Sequence, residues 1–223
     1  MAYGLHWESR GFGEISQEVR SRIDKLKPLH SSPSILVDRY LWFPGCTINV
    51  KLRSLYGGES LKFKRLVEGD DQQQLQLWLE KAGEDYVFPL ARKAVEELSR
   101  AIKVDLPTQI DIANSKELLH LLQTSTDEVK IVTVRKTRRS YVWSSGDMAV
   151  LVDLGKISSP AQTATIGIED LTDLNEFSSH EKVIAGRDAV SAARDAMSLP
   201  GELETASYLE ALTRWVGNQG IET

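Results

Sequence analysis

Three segments of this chain alternate basic and apolar residues with the period of a β-strand. They cover residues 48–53, 61–65 and 132–142. Successive side chains of an extended strand point to opposite faces, so basic residues two positions apart share one face of a sheet. Cations arrayed in this way could bind a compact anion, and phosphate is a natural ligand for Lys and Arg. In the first two segments the aligned cations are Lys51, Arg53, Lys62 and Lys64.

The overall charge narrows the class of ligand. The chain has 223 residues and a formal net charge of -5, with a pI near 5.5. Duplex DNA and anionic membranes attract proteins through an excess of positive charge, which this chain lacks. We therefore expect a local site for a small acidic or phosphorylated ligand, with neither duplex DNA nor a membrane as partner.

Other common chemistries have no motif in the sequence. Cys46 is the only cysteine, which excludes an internal disulfide and a thiolate metal cluster. The sequence contains no phosphate-binding Gly-x-x-x-x-Gly-Lys-Ser/Thr loop, no Gly-x-Gly-x-x-Gly, no His-Glu-x-x-His and no Gly-x-Ser-x-Gly. A run of about 18 apolar residues, which a membrane span would need, is also missing. We expect a cytoplasmic protein.

Periodicity and turn residues predict an α+β chain with mostly antiparallel strands, folded as one domain over residues 1–223. Predicted strands cover residues 4–10, 35–43, 129–143, 148–155 and 163–170, with a β-hairpin over 46–67 that turns at 56–59. Leucines at helical spacing predict a helical insertion over about 70–125, broken near Gly83 and containing a helix over 115–123. Other predicted helices cover residues 16–27, ended by Pro28, and two C-terminal stretches, 178–197 and 202–216.

The order of these elements resembles the CYTH superfamily, the triphosphate tunnel metalloenzymes. The residues that carry the resemblance are His6-x-Glu8-x-Arg10, Asp38-Arg39-Tyr40, Lys51-x-Arg53, Lys62-x-Lys64, Lys136-x-Arg138, Asp153 and Gly167-x-Glu169. They span roughly residues 4–170, and residues 207–212 are similar to a terminal helix of that family. The resemblance implies an antiparallel β-barrel of about eight strands, with helical insertions and C-terminal helices, whose interior binds a triphosphate.

The resemblance also implies roles for individual residues. The phosphate-binding residues would be Arg10, Lys51, Arg53, Lys62, Lys64, Lys136 and Arg138. The metal ligands would be Glu8, Asp153 and Glu169, with Mg²⁺ or Mn²⁺ as cofactor, and the catalytic residues Glu8, Lys136 and Arg138. The register of the 132–139 strand stays open, because Arg135, Thr137 and Arg139 have the opposite parity and could face inward instead.

Two departures from the family pattern limit these implications. The family opens with Glu-x-Glu-x-Lys, where this chain has His6 and Arg10, and the family's Glu-x-Glu on its last barrel strand is reduced to Glu169. Hydrolysis with two metal ions needs several carboxylates to hold both ions. We therefore expect one metal ion rather than two.

The full set of cations and the reduced set of carboxylates lead to three functional hypotheses. The first is a divalent-metal-dependent hydrolase of inorganic triphosphate, a nucleoside triphosphate or another organic triphosphate. The alternative is a catalytically impaired tunnel that binds triphosphate-ended RNA, a nucleotide or polyphosphate without turnover, and the third is an adenylate-cyclase-like activity. The expected partner is a triphosphate-containing small molecule or an RNA 5′ end, and a homodimer is left open.

Ordinary structural explanations stand beside these hypotheses. Alternating cations are common on the solvated face of an antiparallel sheet. Glu8 and Arg10 could form a simple ion pair, and Asp153 could begin a turn. The hypotheses therefore depend on whether the cations meet inside one enclosed cavity.

Overall fold

A computed structural model describes residues 2–55, 58–70, 74–82, 86–107, 111–172, 178–199 and 203–218. The strands are β1 (Ala2–Gly13), β2 (Lys27–Pro28), β3 (Ser34–Trp42), β4 (Ile48–Leu55), β5 (Gly58–Asp70), β6 (Leu75–Ala82), β7 (Lys130–Ser145), β8 (Met148–Ser159), β9 (Thr163–Asp170) and β10 (Glu204–Thr205). The helices are α1 (Gln17–Ile23), α2 (Arg92–Ile102), α3 (Ser115–Ser125), α4 (His180–Met197) and α5 (Tyr208–Asn218). No helix in these ranges is long and apolar enough to cross a membrane.

Eight of the strands form a closed antiparallel barrel. They are ordered β1-β6-β5-β4-β3-β7-β8-β9, and the pairing of β9 with β1 closes the ring. The two-residue strands β2 and β10 pair with β7 and β1, beyond the stretches of those strands that pair with β3 and β6. Closure removes the exposed edges of the sheet and gives it a distinct inside and outside. The predicted α+β barrel is therefore confirmed.

The apolar core lies mainly outside the barrel. Alternate residues of β3, β4 and β5, such as Leu52 and Leu61, pack against Leu98 of α2 and Leu118 of α3. The outer faces of β1, β6, β8 and β9 pack against α1 and α4 in the same way. Complete burial of each such leucine contributes about 1.5–3 kcal/mol. Because the helices supply the core, the barrel interior is free to carry polar side chains.

One end of the interior is closed by α5. Phe12, Tyr40 and Ile157 face inward at this end and pack against Tyr208 and Leu212 of the helix. The Tyr40 and Tyr208 rings are stacked, with their centroids 5.3 Å apart. The helix therefore separates an apolar end of the barrel from the charged part of its interior.

The start of α5 differs from the prediction. A helix over 202–216 was expected, but residues 204–205 form β10 and the helix begins at Tyr208. Ser207 and Glu210 form a capping box: the Glu210 amide donates to Ser207 Oγ at 3.2 Å, and the Ser207 amide donates to Glu210 Oε2 at 2.6 Å. The cap fixes the helix start at the Ser-x-x-Glu sequence.

The largest error of the sequence analysis concerns β6. The leucine spacing places residues 75–82 in a predicted helical insertion, but they form a strand that pairs with both β1 and β5. Leu75 and Leu79 are spaced for a helix, yet Leu75, Leu77 and Leu79 also alternate with polar or aromatic residues. Pairing on both sides decides in favour of the strand, and the helices of the insertion begin only at Arg92 and Ser115. The expected turn at 56–57 and the break at Gly83 lie outside the described residues.

Candidate triphosphate site

The interior of the barrel contains a cavity of about 220 Å³ in which charged residues predominate. All seven residues predicted to bind phosphate line it: Arg10, Lys51, Arg53, Lys62, Lys64, Lys136 and Arg138. Four carboxylates, Glu8, Glu80, Asp153 and Glu169, lie among them. The remaining lining residues are Asn49, Trp78, Gly155, Thr165 and Tyr208. The predicted cations therefore do meet in one enclosed space.

The register of β7 settles which of its cations face the cavity. Lys136 is only 7% exposed, and both it and Arg138 line the cavity. Arg135, Thr137 and Arg139 are exposed on the outer face of the same strand. The even-numbered parity, on which the resemblance depended, is therefore the inward one.

Asp38 of β3 anchors two of these cations. Its carboxylate is fully buried and accepts a bidentate pair from Arg53, Nε to Oδ1 at 2.7 Å and Nη2 to Oδ2 at 2.9 Å. Lys136 Nζ lies 3.1 Å from the same Oδ2. Burial alone would raise the pKa of Asp38, but these cations and Lys51 hold it well below its usual value. Asp38 therefore fixes the direction in which the two cations point.

Lys51 differs from its neighbours because its ammonium forms no salt bridge within the part of the chain that the structure describes. It is 8% exposed, and no carboxylate oxygen in the described part of the chain lies within 4 Å of its Nζ. Its nearest aromatic contact is the Tyr40 ring, 5.5 Å away at the centroid. Burial, and next the repulsion from Arg53, hold the pKa of Lys51 well below its usual value. An incoming anion would supply the missing counter-charge.

Two positive charges lie opposite each other on β4 and β5. Lys51 is directly opposite Lys62 in the strand register, and like charges at opposed positions destabilise a sheet. Lys62 donates to Glu80 of β6 at 2.8 Å. Burial acts against ionisation of Glu80, yet Lys51 and Lys62 lower its pKa to about 2. Glu80 was missed by the sequence analysis because β6 was read as a helix.

Asp153 lies in the cavity wall but is held by protein groups. It accepts from Arg138 Nη1 at 3.0 Å and from Ser140 Oγ at 2.5 Å. Among the residues that the structure describes, a group with ligand atoms within 4.8 Å of one another is formed instead by His6, Glu8 and Glu169. Among the three predicted metal ligands, Glu8 and Glu169 are therefore brought together, while Asp153 stands apart.

The His6, Glu8 and Glu169 cluster fits one divalent ion. Glu8 and Glu169 are opposite each other in the β1–β9 register. His6 Nε2 is buried 3.8 Å from Glu8 Oε2 and has no hydrogen-bond partner in the described ranges. An orphaned imidazole nitrogen beside two carboxylates gives a mixed nitrogen and oxygen donor set, which suits Mn²⁺ better than Mg²⁺. Both carboxylates, however, already contact protein cations.

Those cations are Arg10 and Lys64. Arg10 Nε donates to Glu8 Oε1 at 2.5 Å, and its Nη2 donates to Glu169 Oε1 at 3.2 Å. Lys64 Nζ donates to the other oxygen of Glu8. Burial alone would raise the pKa of Glu8, but Arg10 and Lys64 hold it well below its usual value. Glu8 is therefore ionised and shared between two cations.

Comparisons with known proteins agree on the fold. No family model matches the chain, and no curated protein matches it. Among solved structures, the PH1819 protein of Pyrococcus horikoshii aligns with a TM-score of 0.52 and 16% identity, covering 93% of this chain and 98% of that one. A conserved hypothetical protein of Pyrococcus furiosus aligns with a TM-score of 0.50 and 15% identity, covering 91% and 98%. Both are similar to this chain in fold.

A protein from Hippeastrum, described as having a dominant triphosphatase activity, aligns more weakly. The TM-score is 0.45 and the identity 10%, over 86% of this chain and 88% of that one. A likeness at this level carries no argument about function. Function is therefore inferred from the residues of the site itself.

Proposed function

We propose that this chain is a CYTH-type tunnel protein that binds a triphosphate inside its barrel and hydrolyses it with the help of one divalent ion. The observation that carries the proposal is the convergence of seven Lys and Arg side chains from four strands on one cavity. Five carboxylates, including Asp38 in the wall, offset part of that charge, which leaves about two positive charges when Lys51 is protonated. The negative charge of a triphosphate would be attracted by this excess, and a divalent ion would offset the remainder.

The size of the cavity supports a compact ligand. Pockets for drug-sized molecules usually occupy roughly 300–1,000 Å³, and this one is about 220 Å³. Two buried polar atoms in its wall, Asn49 Oδ1 and Trp78 Nε1, have no hydrogen-bond partner in the described part of the chain. Buried polar groups are normally satisfied, so atoms of this kind indicate a ligand or ordered water. The triphosphate chain would fit inside, with any nucleoside outside.

The chemistry of hydrolysis can be divided among the residues of this chain. Arg53, Lys62 and Lys64 would hold the phosphates in line, which contributes to the rate by positioning alone. Lys136 and Arg138 would stabilise the charge that develops on a departing pyrophosphate, in a cavity where water screens it poorly. Glu8 would orient the attacking water. A divalent ion held by His6, Glu8 and Glu169 would polarise a phosphoryl oxygen when bound.

One observation favours a second candidate function, binding without turnover. Glu8 and Glu169 are already neutralised by Arg10 and Lys64, so a metal ion must compete with protein cations for them. If the ion loses this competition, the cationic cavity would still bind polyphosphate or the 5′ end of a triphosphate-ended RNA. The two candidates share the same anion site and differ only in chemistry.

Phosphate release distinguishes the candidates. The protein would be incubated with tripolyphosphate or ATP and with Mg²⁺ or Mn²⁺, and orthophosphate would be measured. Turnover that is lost in Glu8→Gln and Glu169→Gln, and retained in the exposed control Glu68→Gln, supports the hydrolase. Binding without release supports the second candidate, and pyrophosphate with cyclic nucleotide would show a cyclase instead. Absence of both binding and release would overturn the proposal.

A further inference from the structure

The guanidinium of Arg10 is fixed in place by contacts with several side chains. Besides its contacts to Glu8 and Glu169, Nη1 lies 3.5 Å from Thr165 Oγ1, and the guanidinium carbon lies 5.1 Å from the centre of the Tyr208 ring. The side chain is only 9% exposed. A planar cation with this many fixed contacts keeps one position and orientation.

Gly167 makes room for this guanidinium. Arg10 and Gly167 are opposite each other in the β1–β9 register. A Cβ at position 167 would lie 2.5 Å from Nη2, 2.7 Å from Cζ and 2.8 Å from Nη1 of Arg10, closer than real Cβ contacts allow. Any side chain at this position would therefore displace the guanidinium. The absence of a side chain at position 167 therefore leaves the space that the guanidinium occupies.

The guanidinium lies where it connects two carboxylates, as a metal ion would. Glu8 and Glu169 both bind it, and the opposite side of Glu8 faces Lys64 and the orphaned His6 nitrogen. The ligand atoms of His6, Glu8 and Glu169 lie within 4.8 Å of one another on the side away from the guanidinium. A second ion between the same carboxylates would need the volume that Arg10 fills.

From this geometry, and resting on the proposed function, we propose that Arg10 serves as a permanent second cation of the site, with Gly167 as the residue that admits it. The tunnel then binds one divalent ion, at His6, Glu8 and Glu169, and not two. Arg10 is a positioning residue for the two carboxylates, and it replaces a metal ion by a charge that never dissociates.

A direct test counts Mn²⁺ ions bound to the full-length protein, using electron paramagnetic resonance of free Mn²⁺ during a titration without phosphate ligands. One ion per wild-type chain is expected, lost in His6→Ala. The double variant Arg10→Lys with Gly167→Glu should gain a second ion. Two ions or none in the wild type, or no gain in the double variant, would overturn the proposal. The readout is metal binding and not hydrolysis, so two ions in the wild type, or no gain in the double variant, would overturn this inference while the proposed function stands.

A second test does not use metal. Gly167→Ala should lower the urea midpoint of unfolding in the wild type, because the new methyl group meets the guanidinium, and should have little effect in an Arg10→Ala background. Gly4→Ala, on the same barrel strand as Arg10, is the matched control, since nothing lies within 4 Å of a Cβ there. Equal effects of Gly167→Ala in the two backgrounds would show that Arg10 does not occupy this space.

Discussion

Two walls of the barrel interior carry charge in different ways. We define the cation wall as Lys51, Arg53, Lys62, Lys64, Lys136 and Arg138 on β4, β5 and β7, and the acid wall as His6, Glu8, Arg10, Gly167 and Glu169 on β1 and β9. In the cation wall, single carboxylates such as Asp38 and Glu80 orient Lys and Arg towards the cavity. In the acid wall, one arginine links the carboxylates together. We therefore expect anion binding to depend mainly on the cation wall and metal binding mainly on the acid wall, with Lys64 and Glu8 in contact between the two.

Among the substitutions that test the difference between the two walls, we expect the largest effect at Asp38, which anchors the cation wall. Asp38→Ala should lower the free energy of unfolding by about 3–5 kcal/mol, because it leaves Arg53 and Lys136 buried without their counter-charge. Asp153→Ala is the control, since its partner Arg138 is 30% exposed and can reach water. Urea unfolding of both variants measures the difference. An Asp38→Ala variant no less stable than Asp153→Ala would show that Asp38 is not the anchor.

Acid should weaken the same wall through Glu80. The pKa of Glu80 is about 2 in the folded protein and about 4.3 when unfolded. A carboxyl whose folded pKa is the lower one contributes stability above its unfolded pKa, and that contribution is lost as the pH falls from about 4.3 towards 2. The full loss is at most about 3 kcal/mol.

The measurement for Glu80 is urea unfolding at several pH values between 6 and about 2.5. Glu80→Gln should show a shallower loss of stability over this window than the wild type, because the titrating carboxyl is gone. Glu68→Gln, exposed on β5, should follow the wild type. Identical pH dependence in all three proteins would mean that the Lys62–Glu80 pair contributes nothing.

Adjacent arginines on β7 give a matched pair for ligand binding. Arg138 faces the cavity and Arg139 is exposed on the outer face. Arg138→Ala should weaken tripolyphosphate binding about 10- to 100-fold, since a charge-assisted hydrogen bond contributes about 1.5–3 kcal/mol, whereas Arg139→Ala should leave it unchanged. Isothermal titration calorimetry measures both. Equal losses would indicate general electrostatic attraction in place of a defined site.

Lys51 should show opposite effects on stability and binding. Lys51→Met removes a buried cation whose desolvation outweighs its attraction to Asp38 and Glu80, so the free energy of unfolding should rise by about 1 kcal/mol. The same change should weaken tripolyphosphate binding about 10-fold, because it removes the cation that most needs an anion. Lys156→Met, exposed on the outer face of β8, is the control. If Lys51→Met lowers stability and keeps full affinity, Lys51 is a structural residue.

The sequence was sufficient to predict the residues of the cation wall, but not the residues that hold the charged side chains in position. Alternation within one strand fixes which residues share a face, so the shared face of Lys51 and Arg53, or of Lys62 and Lys64, follows from local sequence alone. That this face is the inner one depends on closure of the barrel. The anchoring role of Asp38 and the contact between Arg10 and Gly167 depend on which strands become neighbours. That information appears only when the barrel closes.

The wrong helix prediction for β6 also arose because the neighbours of a strand cannot be read from its local sequence. Leu75 and Leu79 fit a helix as well as a strand, and only pairing with β1 and β5 distinguishes the two. The wrong assignment also hid Glu80 and the cavity-facing role of Trp78. By contrast, the Ser207-x-x-Glu210 capping box was readable in the sequence and would have placed the start of α5 correctly.

The central claim is that cations enclosed in the barrel bind a triphosphate, and calorimetric titration with tripolyphosphate in EDTA tests it most directly. We predict one tripolyphosphate per wild-type chain, bound at least about 100-fold more tightly than orthophosphate, because more of the cations are engaged at once. Combined replacement of Lys51, Lys136 and Arg138 by alanine should abolish binding in a protein that is still folded. Equal affinity for tripolyphosphate and orthophosphate, or undiminished binding in the triple variant, would contradict the claim.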